Sequence, residues 1–522
     1  MISALTHSLR LMRAGFVLAR GGVFSAVDPA ALPPSGRFAL RLARLIERPT
    51  AATGAFPLST ALTALGPSYV KLGQFLATRP DVVGPTLARD LEHLQDKMTP
   101  FGQAAAEAVI AHAMEKPVAQ VFSSLGPPVA AASIAQVHRA QTHDGRTVAV
   151  KVLRPGIEHR FKTDLDAFYF AARTAENHSA EARRLRLIEV VDTLARSVKV
   201  EMDLRLEAAA LSEMAENIKD DADFRVPAVD WDLTSKDVLT LEWIDGTPLS
   251  DRAGLIAKGY DLPQLGRIVI QSFLRHAMRD GFFHADMHPG NLFIDAEGRL
   301  AAVDFGIMGR LGDKERRFLA EILHGFITRD YRRTAEVHFE AGYVPPHHSV
   351  DAFAQAIRAI GEPIHNRPAE DISMAKLLTL LFEVTGLFDM RTRPELLLLQ
   401  KTMVVVEGVA RSLDPKLDMW TTSEPVVRDW ITRNLGPAGR IEDAAGGALE
   451  VGKFLNTVPG LLSRAGRLAD QLDAATRDGI LLAPETVAAI GKAEARRNRA
   501  NVIALWVIAA LLAGVIWMLF KY

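Results

Sequence analysis

The sequence has no cysteine among its 522 residues, which excludes disulfides, thiolate metal sites, cysteine nucleophiles and thiol-based redox sensing. It has no surplus of either charge, because 61 Lys and Arg residues nearly balance 62 Asp and Glu residues. A chain without a net basic field lacks a general attraction for nucleic acid, and we expect no nucleic-acid partner. Aromatic residues are scarce at 7%, but hydrophobic residues reach 48%, enough for a globular core and too many for a disordered chain.

Long, wholly apolar runs are also rare, and the clearest one lies near the end of the chain. Residues 502–520 (VIALWVIAALLAGVIWMLF) form 19 uncharged positions, which at about 1.5 Å per residue match the thickness of a bilayer core. Three arginines at 496–499 precede this run and only Lys521 follows, so the positive-inside rule places the long N-terminal body in the cytoplasm. We therefore predict a single-pass C-terminal transmembrane anchor over 501–522; the alternative is a buried core helix.

The N-terminal segment MISALTHSLRLMRAGFVLARGG is not a signal peptide, because Arg10, Arg13 and Arg20 interrupt its apolar stretch. Its pattern predicts an amphipathic basic helix. Such a helix either lies on anionic lipid or is the first packed helix of the domain, and the sequence leaves both open.

Apolar spacing divides the rest of the chain into regions. Positions three and four apart predict helices without strands up to about residue 125, after which an alternating pattern begins. We predict a hairpin with its turn at 143–146, a second strand pair around 225–246, and helices between them from 161 to 219. The predicted regions are a helical extension (1–125), a small sheet with a helical insertion (126–250), a mainly helical region with a hairpin around Glu297 and Gly298 (251–436), a helical spacer (437–500) and the anchor (501–522).

Three polar residues carry the clearest chemical signal. Asp286 and Asn291 are five positions apart in HADMHPGN, and Asp304 of DFG follows thirteen positions later. This is the spacing of the catalytic Asp, the metal-binding Asn and the DFG Asp of protein kinases. Phosphoryl transfer needs a carboxylate to orient the nucleophile, for which we predict Asp286, and hard oxygen ligands for Mg²⁺, for which we predict Asn291 and Asp304.

A lysine upstream completes the kinase-like set. Lys151 ends the apolar strand segment VAVK, where an ammonium can reach the α- and β-phosphates of ATP, and Glu207 on a following helix is its predicted partner. Glu207 on a solvated helix face is the alternative. Glu242 and Ile244 lie where a hinge would contact adenine through backbone groups.

An alanine-rich loop stands where an ordinary kinase has glycines. We predict that this loop binds nucleotide through Ala130, Ala131, Ala132, Ser133, Ile134, Ala135 and Gln136. Alanine resists positive φ and keeps the backbone farther from phosphates than glycine does, so nucleotide should sit differently here.

With these motifs the chain resembles the UbiB/ADCK branch of atypical protein-kinase-like proteins. The matching segments extend from about 65 to 415 and are KLGQ at 71–74, the alanine-rich loop with SIAQVHRA, VAVK, Glu201 and Asp203 as an E-x-D pair, FFHADMHPGN, DFG, and Lys401 with Glu407 and Gly408. The resemblance implies an α+β, bilobal protein-kinase-like fold, in which 126–250 is the N-lobe and 251–436 the C-lobe. It further implies a helical N-terminal extension and a C-terminal transmembrane helix in the bacterial inner membrane.

The resemblance also implies a gate over the pocket. Lys71 and Gln74 would lie on the N-terminal extension, which folds across the pocket and meets Glu201 and Asp203. The closed extension would block the groove where a kinase holds a peptide. One departure from the family pattern follows Glu207, where Glu-Ala-Ala-Ala replaces Glu-Ala-x-Asn, so no Asn contact is expected there.

For function, the resemblance implies an ATP-binding, Mg²⁺-dependent atypical kinase or ATPase of ubiquinone biosynthesis. It would make membrane polyprenyl-phenol intermediates accessible to other ubiquinone biosynthesis proteins; a homodimer is left open. The alternative is a nucleotide-binding scaffold that organises those enzymes at the membrane. Direct catalysis of 2-polyprenylphenol hydroxylation is disfavoured, because the sequence shows no flavin fingerprint, no recognisable two-His-one-carboxylate set and no cysteine for an iron-sulfur cluster.

Overall fold

The structure is a computed structural model, and it divides the chain into two units, Met1–Arg433 and Asn434–Tyr522. The described residues are 2–26, 57–77, 98–364, 384–390 and 394–436, with short pieces between 40 and 94. The predicted spacer (437–500) and anchor (501–522) lie outside them. Within the described part of the chain, every helix is too short or too polar to cross a bilayer.

Helices and strands alternate along the first unit as an α+β arrangement. The helices are α1 (Ile2–Arg20), α2 (Pro57–Leu65), α3 (Pro67–Ala77), α4 (Gln103–Met114), α5 (Val118–Val121), α6 (Ile157–His178), α7 (Ala180–Leu185), α8 (Leu187–Glu201), α9 (Leu204–Asn217), α10 (Arg252–Ala257), α11 (Leu262–Arg275), α12 (Asp313–Thr328), α13 (Tyr331–Glu340), α14 (Val350–Gly361), α15 (Pro394–Leu413) and α16 (Met419–Leu435). The strands are β1 (Ser124–Ala131), β2 (Ala135–Gln141), β3 (Thr147–Leu153), β4 (Phe224–Arg225), β5 (Val238–Glu242), β6 (Gly246–Pro248), β7 (Phe282–His284), β8 (Leu292–Asp295), β9 (Leu300–Ala302) and β10 (Met308–Arg310).

The first sheet is antiparallel with the strand order β1-β2-β3-β5. The predicted hairpin is confirmed: β2 and β3 pair from Ala135↔Leu153 to Gln141↔Thr147, around a turn that includes Gly145 at φ 89°. Because side chains alternate across a strand, Val148, Val150 and Val152 enter the core beneath the sheet. Lys151 is therefore on the opposite face.

The predicted second strand pair is present only in part, as an isolated antiparallel bridge between Val229 and Leu241 of β5. The strand β5 pairs with β3, whereas the segment before it contributes two-residue β4, an isolated bridge from Val229 to Leu241, and a 3₁₀ turn at Trp231–Leu233. Pro227 has no N–H to donate to a ladder, and the Asp230 side chain accepts a hydrogen bond from the Leu233 N–H, which favours the turn.

Helices α6 to α9 form the insertion between β3 and β5, as predicted. The N-terminal α1 packs on the first of them, where Arg10 Nη1 lies 2.8 Å from Asp164 Oδ1. It is thus a packed helix, and Leu9, Met12 and Phe16 on its surface remain exposed.

Beyond the first sheet, short strands frame a mainly helical lobe. The predicted hairpin around Glu297 and Gly298 is confirmed: β8 and β9 pair antiparallel in a second sheet of order β4-β9-β8-β6. A two-stranded sheet joins β7 to β10. Helix α11 is buried along most of its length, and its Gly266 allows α15 to approach closely, since a Cβ there would lie 3.2 Å from the Ala410 carbonyl oxygen.

Candidate nucleotide-binding site

The centre of the site is an ammonium shared by two carboxylates. Lys151 Nζ lies 2.8 and 2.9 Å from the two carboxylate oxygens of Glu207 and 2.8 Å from Asp304 Oδ1. The strand β3 presents the lysine, the first turn of α9 presents Glu207, and the chain after β9 presents Asp304. The predicted pairing of Lys151 with Glu207 is therefore present, and the solvated alternative for Glu207 is wrong because that residue is buried.

The shared charge fixes the protonation of the three groups. Burial disfavours the charge on Lys151, but the carboxylates of Asp304 and Glu207 outweigh burial and raise the pKa of the ammonium. Lys151 lowers the pKa of Asp304 to about 2. Burial raises the pKa of Glu207, an effect that Lys151 partly offsets. At neutral pH the cluster thus holds a fixed cation and an ionised Asp304.

Asp304 is held in a strained but tolerated backbone conformation. Its φ is 64°, a left-handed value that Asp and Asn adopt more readily than most residues. The preceding Val303 donates its N–H to the Asn291 carbonyl oxygen at 2.9 Å, continuing the β8-β9 hairpin by one step. The hairpin therefore places Asn291 and Asp304 at the same end, although thirteen positions separate them in the sequence.

Asp286 and Asn291 contact each other in the loop between β7 and β8. Asn291 Nδ2 donates to the Asp286 carbonyl oxygen at 3.2 Å and lies 3.5 Å from Asp286 Oδ2. Both side chains are half-buried. With its Nδ2 turned toward Asp286, the amide of Asn291 keeps its oxygen as a ligand atom for a hard cation.

The alanine-rich loop turns between β1 and β2 without a left-handed residue. Ala130 is exposed, Ala131 and Ala132 are half-buried, and the Ala132 N–H donates to the Ala135 carbonyl oxygen at 2.8 Å. The conformation is one that Cβ-bearing residues adopt without strain, which explains how alanine serves where glycine is usual.

The second half of the same loop is turned into the protein. The side chains of Ser133, Ile134, Ala135 and Gln136 are buried. Gln136 accepts a hydrogen bond from the Phe101 N–H at 2.9 Å, and its Nε2 lies 2.8 Å from His138 Nε2. Any contact of these four residues with nucleotide must come from their backbone.

The predicted hinge follows β5. The Glu242 carboxylate pairs with Arg225 at 2.5 Å. The backbone N–H of Glu242 donates to the Ala228 carbonyl oxygen at 2.8 Å. Its side chain is thus used to join the two sheets. Ile244 is half-buried just beyond the end of the strand, and its contact with adenine stays a prediction.

The KLGQ segment forms part of α3 and reaches the site. Lys71 Nζ lies 2.6 Å from Glu201 Oε2, with both side chains about one-tenth exposed at 11%, and Lys71 adds to the lowered pKa of Asp304 that Lys151 dominates. Gln74 lies one turn further along the helix and is half-buried. A Cβ on Gly73 would approach a terminal methyl of Leu94 to 2.3 Å, so any larger residue would force that side chain to move.

Asp203 behaves differently from its neighbour in the E-x-D pair. It is the N-cap of α9 and forms a salt bridge with Arg205 at 2.7 Å instead of meeting the KLGQ helix. The expected contact of the extension is therefore made with Glu201, because the capping geometry turns Asp203 toward the next helix.

The comparisons with known proteins agree with this geometry. Residues 93–338 match the model of the ABC1 atypical kinase-like domain, and residues 357–418 match the UbiB helical domain. A protein of Marinobacter nauticus named "Probable protein kinase UbiB" is 39% identical over 84% of this chain and 81% of its own length. The chain belongs to the UbiB family. A second member, from Cellvibrio japonicus and with the same name, is 36% identical over 97% of this chain and 92% of its own.

A solved structure supports the fold of this UbiB-family chain. The protein Rv3197 from Mycobacterium tuberculosis, determined in complex with erythromycin, aligns with a TM-score of 0.52 and covers 75% of this chain and 97% of its own length. At 24% sequence identity it supports the kinase-like fold alone. The predicted family and the α+β kinase-like fold are thus confirmed.

The residue that connects the Asp286 loop to the DFG segment was not among the site residues predicted from the sequence. Buried His284 accepts a hydrogen bond from the Asp286 N–H at Nδ1 (3.0 Å), and its Nε2 donates to the Val303 carbonyl oxygen (3.2 Å). Burial lowers the pKa of His284, which favours the neutral ring with this donor and acceptor pattern. One imidazole therefore couples the segment of Asp286 to that of Asp304.

Two further supports are long-range and carry no sequence signal. Thr402 of α15, buried in the core, places its hydroxyl oxygen between two carbonyl oxygens, 2.8 Å from that of Leu398 and 3.1 Å from that of Ala285. Arg154 donates to the Ala132 carbonyl oxygen at 3.0 Å and so holds the alanine-rich loop. Both contacts position backbone next to the site.

Proposed function

We propose that this UbiB-family chain binds Mg-ATP in the pocket of Lys151 and acts as an atypical kinase or ATPase in ubiquinone biosynthesis. The observation that carries the proposal is the ammonium of Lys151 held between Glu207 and Asp304, close to the loop of Asp286 and Asn291. The relatives named "Probable protein kinase UbiB" add support for the reaction class.

The side chains divide the work as their chemistry suggests. Lys151 offers a fixed cation to phosphate oxygens, while Glu207 holds it in place from the buried side. Asp304 and Asn291 offer a carboxylate and an amide oxygen, which is the hard donor set that suits Mg²⁺. When bound, Mg²⁺ would neutralise charge on the phosphates, and Asp286 would orient the attacking nucleophile.

The gate favours a small or lipid acceptor over a peptide. The ion pair of Lys71 with Glu201 holds α3 beside the pocket. A closed extension would exclude protein substrates and water, which agrees with membrane polyprenyl-phenol intermediates as the molecules served and with other ubiquinone biosynthesis proteins as partners.

We further propose that the chain works at the bacterial inner membrane. The uncharged run 502–520 has the length and flanking charge of a single-pass anchor with the body in the cytoplasm. The outer side of the packed helix α1 keeps Leu9, Met12 and Phe16 exposed, which is an apolar surface suited to lipid. Membrane fractionation of the full chain and of a chain ending at residue 500 tests the anchor.

The decisive experiment uses full-length chain in detergent and measures Mg²⁺-dependent ATP hydrolysis. We expect Asp304→Asn to lower the rate by a factor on the order of 100, because it removes a charged metal ligand. Asn tolerates the left-handed backbone at this position, so the fold should persist. The control Asp144→Asn, in the exposed β2-β3 turn, should hydrolyse ATP normally.

A scaffold without catalysis predicts another pattern. In that case Mg-ATP still raises the melting temperature of the wild type, Lys151→Met abolishes this rise, and Asp286→Asn restores ubiquinone in a deficient strain. Equal hydrolysis by wild type and Asp304→Asn would contradict the catalytic proposal. Failure of Asp286→Asn to restore ubiquinone would contradict the scaffold.

A further inference from the structure

A second cluster of ligand-type side chains lies outside the nucleotide site, in the helical lobe. His347 and His348 follow two prolines in the loop between α13 and α14, and Asp389 lies in the turn that ends a short helical piece in the segment 384–390. The Nε2 atoms of His347 and His348 lie 3.7 and 3.1 Å from the same oxygen, Asp389 Oδ2. These residues form no recognisable two-His-one-carboxylate pattern in the sequence, because 41 positions separate His348 from Asp389.

The spacing of these atoms suits a small divalent ion. Three donors bound to Zn²⁺ at about 2.0–2.1 Å in a tetrahedron are about 3.3 Å apart. The three candidate atoms all lie within 4.8 Å of one another, so small side-chain rotations bring them to that spacing. The two imidazole rings are already side by side, with centroids 4.2 Å apart.

The cluster rests on a rigid base. His348 is 19% exposed and packs on Phe388, with ring centroids 5.3 Å apart, and Phe388 packs in turn on Phe353 at 4.9 Å. Asp389 follows Phe388 directly and has a left-handed φ of 46°. Two of the three donors are thus positioned by a buried aromatic cluster, which lowers the entropic cost of binding an ion.

We propose that His347, His348 and Asp389 bind a divalent transition-metal ion of the Zn²⁺ type. Two imidazoles and one carboxylate favour such an ion over Mg²⁺, which prefers oxygen ligands. The exposed positions of His347 and Asp389 leave a fourth coordination position for water. The ion would join the loop after α13 to the segment 384–390. It would thereby stabilise the helical lobe independently of nucleotide.

The alternative to a metal site is a simple hydrogen bond between His348 and Asp389 without metal. A variant of His347 distinguishes these two possibilities. His347 is two-thirds exposed (66%) and lies 3.7 Å from the carboxylate, so it adds little to the fold without metal. His347→Gln should keep the metal-free melting temperature of the wild type. It should nevertheless weaken Zn²⁺ binding at least tenfold, since it removes one of three ligands.

The experiment uses untagged, full-length chain in detergent, freed of metal with a chelator and without nucleotide. We expect Zn²⁺, but not Mg²⁺, to raise the melting temperature of the wild type by several degrees, and Co²⁺ to give visible absorption bands typical of tetrahedral coordination. The rise should be lost in His347→Gln and in Asp389→Asn, whose new residue tolerates the left-handed turn.

Two controls define the outcome. His143→Gln removes an exposed histidine elsewhere, and Asp304→Asn removes the candidate Mg²⁺ ligand; both should respond to Zn²⁺ like the wild type. The proposal is overturned if Zn²⁺ leaves the wild type unchanged, or if His347→Gln and the wild type respond equally.

Discussion

Two lysines face the same pocket, and they are held in different ways. Lys151 is shared by two carboxylates, at 2.8 Å from Glu207 and 2.8 Å from Asp304, and Glu207 is buried. Lys71 Nζ lies 2.6 Å from Glu201 Oε2. The Lys151 cluster joins a strand, a helix and the DFG segment. The Lys71–Glu201 pair joins the N-terminal extension to the end of α8.

The difference indicates distinct roles. Removal of one partner from a buried, shared pair leaves a charge without water or counterion, which is costly. Lys71 and Glu201 are similarly enclosed, at 11% exposed each, and removal of Glu201 loosens the contact between the N-terminal extension and α8. We therefore expect the Lys151 cluster to act as a fixed centre and the Lys71–Glu201 pair to open more readily.

The largest effect is expected at the fixed centre. Lys151→Met should lower the free energy of unfolding by about 3–5 kcal/mol, because the buried Glu207 loses its counterion. Urea denaturation followed by tryptophan fluorescence measures this loss. The double variant Lys151→Met with Glu207→Met should be more stable than Lys151→Met alone; a double variant that is less stable would contradict the argument.

The pH dependence of that loss provides a second test. Burial already raises the pKa of Glu207 while Lys151 opposes the rise, so the pKa in Lys151→Met should rise further. The folded variant then binds a proton that the unfolded chain does not bind above about pH 4.5, and stability increases as pH falls. We expect the loss caused by Lys151→Met to shrink by up to about 1.4 kcal/mol per pH unit between pH 8 and 5. A loss that is constant with pH would show that Glu207 does not take up the proton.

The smallest effect is expected at the gate, where the E-x-D pair supplies its own control. Glu201→Gln should cost about 1–2 kcal/mol and speed amide exchange in Pro67–Ala77, because Lys71 keeps a weaker, neutral partner. Asp203→Asn should leave both measurements unchanged, since Asn also caps a helix and the Arg205 pair is exposed. If amide exchange in Pro67–Ala77 is equal in the two variants, Glu201 and Asp203 do not differ in the way proposed.

The sequence predicted the local parts of this architecture well. Alternation in VAVK places Lys151 on the face of β3 away from Val150, and the structure has it there. The hairpin around Glu297 and Gly298 is likewise confirmed. The second strand pair is reduced to an isolated bridge because Pro227 and the 3₁₀ turn at Trp231–Leu233 interrupt the segment before β5.

The sequence by itself determined which groups this protein offers for the proposed phosphate chemistry. Asp286, Asn291 and Asp304 lie within nineteen positions, and short loops and one hairpin fix their relative placement through local backbone geometry. The absence of cysteine excluded disulfides, thiolate metal sites and cysteine nucleophiles just as directly.

Tertiary structure alone decided what these groups touch. It brought Lys151 to Asp304 across 153 positions, Thr402 to Ala285 across 117, and His348 to Asp389 across 41. Contacts of this kind arise when whole helices and sheets pack to bury apolar surface, and the polar atoms at their edges meet as a consequence. Long-range contacts of this kind have no fixed separation in the sequence. The contacts of His284 and of the His347–His348 pair could therefore be identified only in the folded chain.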